Sequence, residues 1–354
     1  MVGVRFTREQ KLKIARGLAE IGVHQIEAGF PAVSDEERKT IKAIVDERLG
    51  PKILVLSRLV KEDIDAAVDT GADMTMLFIA TSDLHLKHKL SMTRDQVQRR
   101  LADILDYVNE RGIKFSFTPE DATRSDWPFM ECLFKMADKA GASRIGIADT
   151  TGSATPEAVG LIIGRLRNIS KTPLSVHLHN DFGLALAGSL AAIREGATHI
   201  NASVSGLGER AGNVPLEQLV TSLQVLYGMD LGIDMGGLTD LSNLVANFAN
   251  VSLSPHTPIV GKNAFSHESG IHVAAVLNEP FTYEPITPEC VGNRRRICFG
   301  KHSGRTAIRS KLAEKGLGDD EDLVEKVLKK VKAMGEAKGS VSEEEFWALI
   351  EGLR

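Results

Sequence analysis

Two histidines separated by one residue, His177 and His179, are the side chains of this chain best suited to hold a metal ion. Apolar Leu174, Val176 and Leu178 alternate with polar residues around them, which is the period-two pattern of a β-strand. Side chains at positions i and i+2 of a strand point to the same face, so both imidazoles lie together at the end of this strand. Two imidazoles on one face can share a divalent cation. The pattern therefore predicts a metal site.

A glycine-rich segment, GLGERAGN at residues 206–213, follows the next predicted strand. A His-x-His pair alone is a weak signal, but the pair followed at this spacing by a loop ending in Asn213 is specific. The first glycines also match the dinucleotide-binding pattern G-x-G-x-x-G/A. That pattern belongs to a strand–loop–helix unit near the start of a fold, whereas this segment follows the last predicted strand. We therefore reject the dinucleotide interpretation.

The composition is that of an ordinary globular protein of 354 residues, with 43% hydrophobic and 25% charged residues. A formal net charge of −4 gives no electrostatic reason to expect nucleic acid or an anionic membrane as a partner. No apolar run approaches the ~20 residues of a membrane span, and the first residues do not form a signal peptide. The three cysteines have neither metal-binding nor disulfide spacing, which predicts a reduced, cytoplasmic protein.

Apolar runs of strand length alternate with amphipathic segments of helix length up to about residue 230. This alternation predicts a parallel sheet, and its length favours a closed (β/α)8 barrel over an open doubly wound sheet. The predicted strands are His24–Phe30, Ile53–Ser57, Met74–Ala80, Lys114–Thr118, Arg144–Ala148, Leu174–His179 and His199–Ser203. The helical patterns between them include Glu36–Glu47, Arg94–Glu110, Trp127–Ala140 and Pro156–Ile169.

The first predicted element is a helix, Arg8–Ile21, which Thr7 can cap, and only seven strands follow it. A barrel built from seven of its eight strands has two unpaired edges. We therefore expect an α/β fold, a (β/α)8 TIM barrel that lacks its first strand, with Met1 an internal start or a fragment boundary. The alternative is an open sheet that never had a strand before this helix.

The alternation ends after about residue 230, which predicts a barrel domain of residues 1–232 and a second region of residues 233–354. The second region begins with a helix at Leu238–Asn250 and continues as a small mixed α+β segment. From Asp319 onward it is charged and helical. Its glycines and prolines suit a lid-like arm, so we interpret it as a linker and a small lid or dimerisation subdomain with a helical tail.

Polar residues follow the predicted strands at the edge where barrel enzymes carry their chemistry. Arg124 followed by Ser125 suits a carboxylate ligand, because a guanidinium fork and a hydroxyl can both donate to it. Glu120 can serve as a general base or orient one. Thr150 can donate to a substrate carboxylate or cap the next helix.

Structural roles remain open for the charged residues at this edge. Arginines around a barrel rim often form ion pairs with neighbouring acids. The pairs that the sequence suggests are Arg58 with Glu27, Arg124 with Asp121, and Arg210 with Glu209. Glu120 can likewise be the partner of a rim arginine.

Four segments resemble the isopropylmalate/homocitrate synthase family in order and spacing: HLHNDFG at 177–183, GLGERAGN at 206–213, SHESGIH at 266–272 and GKHSGR at 300–305. Enzymes of that family are TIM barrels that condense acetyl-CoA with a 2-oxo acid. The resemblance covers the chain from Gly3 to about Arg309. It is specific to the family and less specific to the substrate.

The resemblance implies a role for individual residues. The implied metal ligands are His177, His179 and Asn213. The implied catalytic and substrate-contacting residues are Glu120, Arg58 and Thr150. His272 and Tyr283 fall on the His and Tyr that one protomer of a family dimer inserts into the barrel of its partner. The family thus implies a divalent metal (Mg²⁺, Mn²⁺ or Zn²⁺), acetyl-CoA as co-substrate and a homodimer.

One part of the family signature is missing from this sequence. It is an Asp-x-x-x-Arg-Asp/Glu-Gly motif at the end of the first strand, which supplies a metal ligand and an arginine. This chain begins just after that position, so we expect it to lack a ligand, a catalytic arginine and a strand.

The reaction implied by the resemblance is a Claisen condensation followed by hydrolysis of the thioester. The metal polarises the keto group of the 2-oxo acid, a base removes a methyl proton from acetyl-CoA, and water then releases CoA. His272 from the partner chain, oriented by Glu120, is the candidate acid/base group.

Several features bear on the identity of the 2-oxo acid. Arg124 and Ser125 favour a second carboxylate, hence 2-oxoglutarate and a homocitrate-type product. Isopropylmalate synthases commonly carry a C-terminal leucine-sensing domain, and because this sequence ends near residue 354 we expect the homocitrate type. Residues 58–65 and 78–85 look more like the isopropylmalate synthases, which use 2-oxoisovalerate. Pyruvate, as in citramalate synthases, and a phosphonate-bearing acid remain open.

Two alternatives come from other functional classes. A lyase of the same superfamily would cleave a 3-hydroxyacyl-CoA, although the region with His272 and Tyr283 argues against it. A catalytically inactive, metal-binding barrel follows if Met1 is the true start.

Overall fold

The computed structural model describes residues 1–353, which divide into two compact units. The first unit comprises residues 1–234 and 241–252, and the second comprises residues 235–240 and the chain from 253 onward. None of the described helices combines the length and the apolar character needed to cross a membrane.

An eight-stranded parallel sheet forms the centre of the first unit, and its strands lie side by side in chain order. They are β1 (Gln25–Gly29), β2 (Lys52–Arg58), β3 (Met74–Ala80), β4 (Lys114–Glu120), β5 (Arg144–Asp149), β6 (Leu174–Leu178), β7 (Ala197–Ser203) and β8 (Val214–Pro215). The seven predicted strands are all present, but the count of seven was wrong. The additional strand, β8, has two residues, too few to produce an apolar run.

Helices connect the strands, and their ends follow local capping signals. Thr7 forms a capping box with Gln10 at the start of the first helix, as its position predicts. The helices of the chain are α1 (Arg8–Glu20), α2 (Asp35–Asp46), α3 (Lys61–Thr70), α4 (Asp83–His85), α5 (Arg94–Glu110), α6 (Trp127–Lys139), α7 (Pro156–Ile169), α8 (Ala185–Arg194), α9 (Leu216–Thr221), α10 (Leu238–Ala249), α11 (Gly270–Asn278), α12 (Arg305–Ala313), α13 (Glu321–Lys338) and α14 (Glu343–Glu351).

The main core lies between the sheet and these helices. Phe117 of β4 packs edge-to-face on Phe134 of α6, with ring centroids 6.2 Å apart, and both side chains are fully buried. All six residues of β5 are buried. Neighbouring strands approach closely here, since a Cβ at Gly146 would lie 2.0 Å from the Oγ of Ser175. Tight packing of this kind fixes where the ends of β4, β5 and β6 lie.

The sheet curls but does not close, because β1 and β8 each pair with one neighbour only. Side chains bridge parts of the opening. The Nδ2 of Asn201 on β7 donates to the Oε2 of Glu27 on β1 over 3.1 Å, and the Nη1 of Arg144 on β5 donates to the Oε1 of Gln25 over 2.8 Å. A cavity of about 470 Å³ remains, lined by residues of β1 and β7. The described chain therefore forms an open barrel.

The second unit has its own small core. Its strands β9 (Ser266–His267) and β10 (Arg296–Ile297) form a parallel pair, and helices α11 to α14 pack around buried apolar side chains. Phe299 and Phe346 stack in this core with ring centroids 4.4 Å apart. Helices α13 and α14 confirm the helical character predicted after Asp319.

Candidate active site

The two histidines predicted to bind metal face each other at the carboxyl end of β6. The Nε2 of His177 lies 3.3 Å from the Nε2 of His179. Two nitrogens that each bind one cation at about 2.1 Å, with an angle between 90° and 109°, lie about 3.0–3.4 Å apart. The observed separation fits that geometry.

Asn213 reaches the same place from the loop before β8. Its side-chain Nδ2 lies 3.4 Å from the Nε2 of His177 and donates to the carbonyl of Leu178 over 3.3 Å. Its backbone forms an isolated bridge with His179. A half-turn of the amide would direct Oδ1, the cation-binding atom, toward His177. The structure thus brings the three predicted metal ligands together.

The glycines of residues 206–213 make room for Asn213. A Cβ at Gly208 would lie 2.0 Å from the Oδ1 of Asn213. Gly212 has a φ of +91°, and a Cβ there would lie 1.9 Å from the carbonyl oxygen of Gly206. These contacts give the glycines a packing role within the loop, which supports the rejection of the dinucleotide interpretation.

The protonation of both histidines suits metal binding. Burial, reinforced by the neighbouring His179, lowers the pKa of His177 to about 4. Burial and the nearby Arg210 also lower the pKa of His179. Neutral imidazoles have a lone pair for a cation, so neither nitrogen must first lose a proton at neutral pH. Residues 1–353 contain no cluster of three or more His, Cys, Asp or Glu side chains arranged to hold a metal, so a cation here would draw further ligands from water or substrate.

Glu120 lies at the end of β4 beside a histidine that the sequence did not single out. The Nδ1 of His85 is 3.5 Å from the Oε1 of Glu120, and its Nε2 is 3.7 Å from the Oδ2 of Asp121. Lys89 forms an ion pair with Glu120. Lys89 belongs to a π-helical turn at Leu86–Leu90, a form that often occurs at functional sites. The only sequence signal for His85 was its place after a strand.

The side chains of Arg124 and Ser125 form hydrogen bonds with other residues of the chain. The guanidinium of Arg124 donates twice to buried Asp121, over 2.8 Å in each case. Ser125 hydrogen-bonds to the Oγ1 of Thr81 over 2.7 Å and donates to the carbonyl of Asp121 over 2.8 Å. The ion pair that was the structural alternative for Arg124 is therefore present. Burial raises the pKa of Asp121, but hydrogen bonds from Arg124 and Ser82 outweigh it and leave that pKa below its usual value.

Arg58 and Arg210 have other acidic partners than those expected. Arg58 donates to both carboxylate oxygens of Asp63 over 2.8 Å, rather than to Glu27. Asp63 lies in the first turn of α3, where it also accepts the backbone N–H of Arg58. Arg210 pairs with Asp181 over 2.8 and 2.9 Å, rather than with Glu209. The first turn of α3 places Asp63 and the loop after β6 places Asp181, and the sequence pattern showed neither arrangement.

Thr150 connects two parts of this edge. Its Oγ1 accepts the backbone N–H of Asp121 over 2.8 Å, and its carbonyl accepts from Arg210 over 2.7 Å. Its hydroxyl hydrogen can still be donated to a ligand. Polar groups that follow β4, β5, β6 and β7 are therefore linked in one network.

The cavity in the open side of the barrel reaches two of the predicted metal ligands, because His177 and Asn213 both line it. Glu27 lines the same cavity from β1. Its side chain is accessible to solvent within this cavity, and the surrounding protein limits the hydration of the carboxylate and raises its pKa.

His272 and Tyr283 lie together on the second unit. Their rings stack with centroids 4.0 Å apart and an interplanar angle of 25°. Tyr283 is 45% exposed, and the apolar side chains of Ile271 and Phe281 beside it are 77% and 65% exposed. The structure therefore presents the predicted pair on an exposed, partly apolar surface of this unit.

Comparisons with known proteins agree with this fold. The HMGL-like family profile matches residues 1–245, and the profile described as homocitrate synthase post-HMGL domain-like matches residues 259–339. The fold resembles the crystal structure of hydroxymethylglutaryl-CoA lyase from Pseudomonas aeruginosa, with a TM-score of 0.62 at 20% identity over 70% of this chain and 87% of that chain.

Curated relatives extend over nearly the whole chain. Homocitrate synthase AksA of Methanopyrus kandleri is 46% identical over 99% of this chain and 88% of its own length. A probable 2-isopropylmalate synthase of Ignicoccus hospitalis is also 46% identical, over 99% of this chain and 88% of its own length. The chain therefore belongs to the HMGL-like family, within its group of acetyl-CoA-condensing homocitrate and 2-isopropylmalate synthases.

Proposed function

We propose that this chain condenses acetyl-CoA with 2-oxoglutarate in a homocitrate-synthase-type reaction that needs a divalent cation. The observation that carries the proposal is the arrangement of His177, His179 and Asn213 at the carboxyl edge of the sheet. Enzymes of this family depend on a divalent metal, and the donor set here fits one. Two neutral imidazoles and an amide are compatible with Mg²⁺, Mn²⁺ or Zn²⁺.

A cation bound at these residues would act as a Lewis acid toward the keto group of the 2-oxo acid. The hydroxyl of Thr150 would donate to the carboxylate of that acid. Arg58 is held by Asp63 at the same edge of the sheet and would contribute positive charge. Glu120 would orient the group that removes the methyl proton of acetyl-CoA, and the resulting carbanion would attack the keto carbon. Hydrolysis of the thioester would then release CoA.

The acid/base group itself would come from a second copy of the chain. His272 and Tyr283 are preorganised as a stacked pair, and the apolar residues beside them are exposed. Exposed apolar and aromatic side chains grouped in this way often mark protein interaction surfaces. We therefore propose a homodimer in which this pair enters the barrel of the partner. The cytoplasmic location suggested by the cysteines stays a prediction.

The choice of 2-oxoglutarate rests on the relatives more than on Arg124. The guanidinium of Arg124 is already bonded to Asp121, which weakens its assignment as a clamp for a second carboxylate. Two homocitrate synthases match 99% of this chain at 46% and 43% identity. A probable 2-isopropylmalate synthase matches as much of the chain at 46% identity, and a putative (R)-citramalate synthase matches at 43%, so 2-oxoisovalerate and pyruvate are the competing substrates.

One observation favours a second candidate function, a metal-binding barrel without catalytic activity. The cavity beside β1 opens the wall of the barrel at His177 and Asn213, and the acid that lines it, Glu27, has a neutral amide as its hydrogen-bond partner. An open wall admits bulk water, which can protonate the carbanion of acetyl-CoA before it attacks the keto carbon.

Thiol release from acetyl-CoA tests both candidates. The chain is supplied with Mn²⁺ and, separately, 2-oxoglutarate, 2-oxoisovalerate or pyruvate. We expect release above the no-acid background with 2-oxoglutarate preferred, a loss of release in His177→Ala, and unchanged release in His256→Ala, which replaces an exposed histidine outside the site. Preference for another acid would correct the substrate. Mn²⁺ binding without thiol release for any acid would support the inactive barrel.

A further inference from the structure

Glu217 is a buried acid that the proposed reaction does not use. It lies in the first turn of α9, directly after β8, and its side chain is 1% exposed. Its Oε2 accepts the backbone N–H of Ser205 over 3.0 Å, whereas its Oε1 has no hydrogen-bond partner in the described chain. Burying a carboxyl group with one unsatisfied oxygen is unfavourable, and an apolar side chain of similar size would avoid that cost.

The residue that Glu217 holds has an uncommon backbone conformation. Ser205 has φ +54° and ψ 22°, in the left-handed region that residues other than glycine, asparagine and aspartate rarely adopt. Such a conformation persists only when the surroundings fix it. The hydrogen bond from the Ser205 N–H to the buried carboxyl group is a contact of this kind.

This conformation is transmitted to Asn213 through backbone contacts. The carbonyl of Gly206, the residue after Ser205, accepts the N–H of Asn213 over 3.0 Å. Gly212 packs directly against the same carbonyl, and its own carbonyl accepts the N–H of Asn180 over 2.9 Å. The backbone conformation of Ser205 and Gly206 directs the Gly206 carbonyl, and that carbonyl in turn sets where the backbone of Asn213 lies.

We propose that Glu217 is a positioning residue, which fixes the loop of residues 204–213 so that the amide of Asn213 faces His177. This inference rests on the role of Asn213 as a metal ligand in the proposed function. Glu217 makes no contact with the metal-site side chains themselves. It acts through Ser205 and Gly206, in the way that outer partners hold metal ligands in place.

Three variants separate positioning from a general effect on folding. Glu217→Leu removes the hydrogen-bond acceptor and keeps the burial. Glu217→Gln keeps an acceptor oxygen at nearly the same position. Thr221→Val is the matched control, because Thr221 lies one turn later on α9 and its buried hydroxyl has no hydrogen-bond partner in the described chain.

Hydrogen exchange of single backbone amides is the first readout and requires no metal. In Glu217→Leu we expect the backbone amides of Ser205 and Asn213 to exchange at least about tenfold faster. A factor of this size corresponds to the loss of one buried hydrogen bond. The amide of His177 on β6 should keep its protection. Glu217→Gln should restore the protection of both loop amides, and Thr221→Val should leave it unchanged. Unchanged loop amides in Glu217→Leu, or an equal acceleration that includes β6, would overturn the proposal.

Mn²⁺ affinity, measured by electron paramagnetic resonance, is the second readout. We expect Glu217→Leu to weaken binding about 10- to 100-fold and Glu217→Gln to recover most of the loss. Wild-type affinity in Glu217→Leu would overturn the positioning role. Absence of Mn²⁺ binding by the unmodified chain would instead count against the proposed function, and the exchange data would still decide the role of Glu217.

Discussion

The side-chain amide of Asn213 lies 3.4 Å from the Nε2 of His177, although 36 positions of the chain separate the two residues. The contact arises because the loop after β7 turns back over the end of β6, where Asn213 forms a backbone bridge with His179. An amide that lies close to two imidazoles at a strand end offers three side chains that can bind a divalent cation. Metal affinity is therefore the property most directly tied to this contact.

Loss of a single proposed metal ligand should weaken metal binding strongly. We expect His177→Ala and His179→Ala each to lower the affinity for Mn²⁺ at least tenfold, because each removes one proposed ligand. Asn213→Ala should lower the affinity at least as much as Glu217→Leu, because Glu217 acts only through Asn213. Titration monitored by electron paramagnetic resonance measures these affinities, with His256→Ala as the control. An affinity of His177→Ala equal to that of the control would remove the histidine pair from the metal site.

The stability of the metal-free chain should fall at acidic pH because of His177. Its pKa is about 4 in the folded protein and about 6.5 in the unfolded chain, so folding favours the neutral form. The associated stability is fully present above pH 6.5 and is lost as the pH falls from 6.5 toward 4. A difference of about 2.5 pH units corresponds to at most about 3 kcal/mol in the free energy of unfolding.

His177→Asn tests this pH dependence. Urea unfolding between pH 7 and pH 4, in the presence of a chelator, should show a smaller decrease in stability for this variant than for the wild type. His256→Asn, at an exposed position, should follow the wild-type curve. Identical curves for His177→Asn and wild type would show that His177 does not titrate in this way.

The buried ion pair of Asp121 and Arg124 should contribute far more stability than an exposed pair of the same spacing. Asparagine can adopt the left-handed backbone of position 121, where φ is +59°. Asp121→Asn therefore removes mainly the charge of the carboxylate that accepts hydrogen bonds from Arg124 and Ser82. We expect a loss of about 2–4 kcal/mol, moderated because Arg124 is partly exposed. Asp35→Asn, which breaks the exposed i,i+3 pair with Arg38, should cost less than about 1 kcal/mol. Similar losses in both variants, measured by urea unfolding, would contradict the prediction.

A methyl group at Gly208 should displace Asn213. Its Cβ would lie 2.0 Å from the Oδ1 of Asn213, so the asparagine must move. We expect Gly208→Ala to weaken Mn²⁺ binding about tenfold and to destabilise the fold by about 1–3 kcal/mol. The control is Gly164→Ala within α7, where the nearest atom is the flexible end of Glu195 and alanine favours the helix. Unchanged metal affinity in Gly208→Ala would show that the loop can accommodate the methyl group.

Replacement of Arg124 should affect all substrates alike. Because its guanidinium holds Asp121, we expect Arg124→Gln to lower kcat/KM for 2-oxoglutarate, 2-oxoisovalerate and pyruvate by the same factor, within about threefold. Steady-state kinetics with each acid measures this. A KM increase confined to 2-oxoglutarate would instead restore Arg124 as the clamp for a second carboxylate.

The alternation of apolar runs and amphipathic segments was sufficient to predict the parallel sheet. Periodicity is a local property of the chain, so the positions of β1 to β7 were visible in it, whereas β8 was too short to leave a pattern. Partners of charged residues were less predictable. Arg124 has the expected partner three residues away. Arg58 and Arg210 instead pair with Asp63 and Asp181, because the first turn of α3 and the loop after β6 place those acids beside them.

Motifs and periodicity are local, so the family, the strand that carries His177 and His179, and the loop that ends in Asn213 could all be predicted from the residues alone. Other relationships are visible only in the folded chain: the two imidazoles lie 3.3 Å apart, His85 lies between Glu120 and Asp121, and buried Glu217 holds Ser205. These contacts join residues from different strands and loops. They depend on how the sheet curls and how each loop turns back over it, and no local pattern of residues encodes such distances.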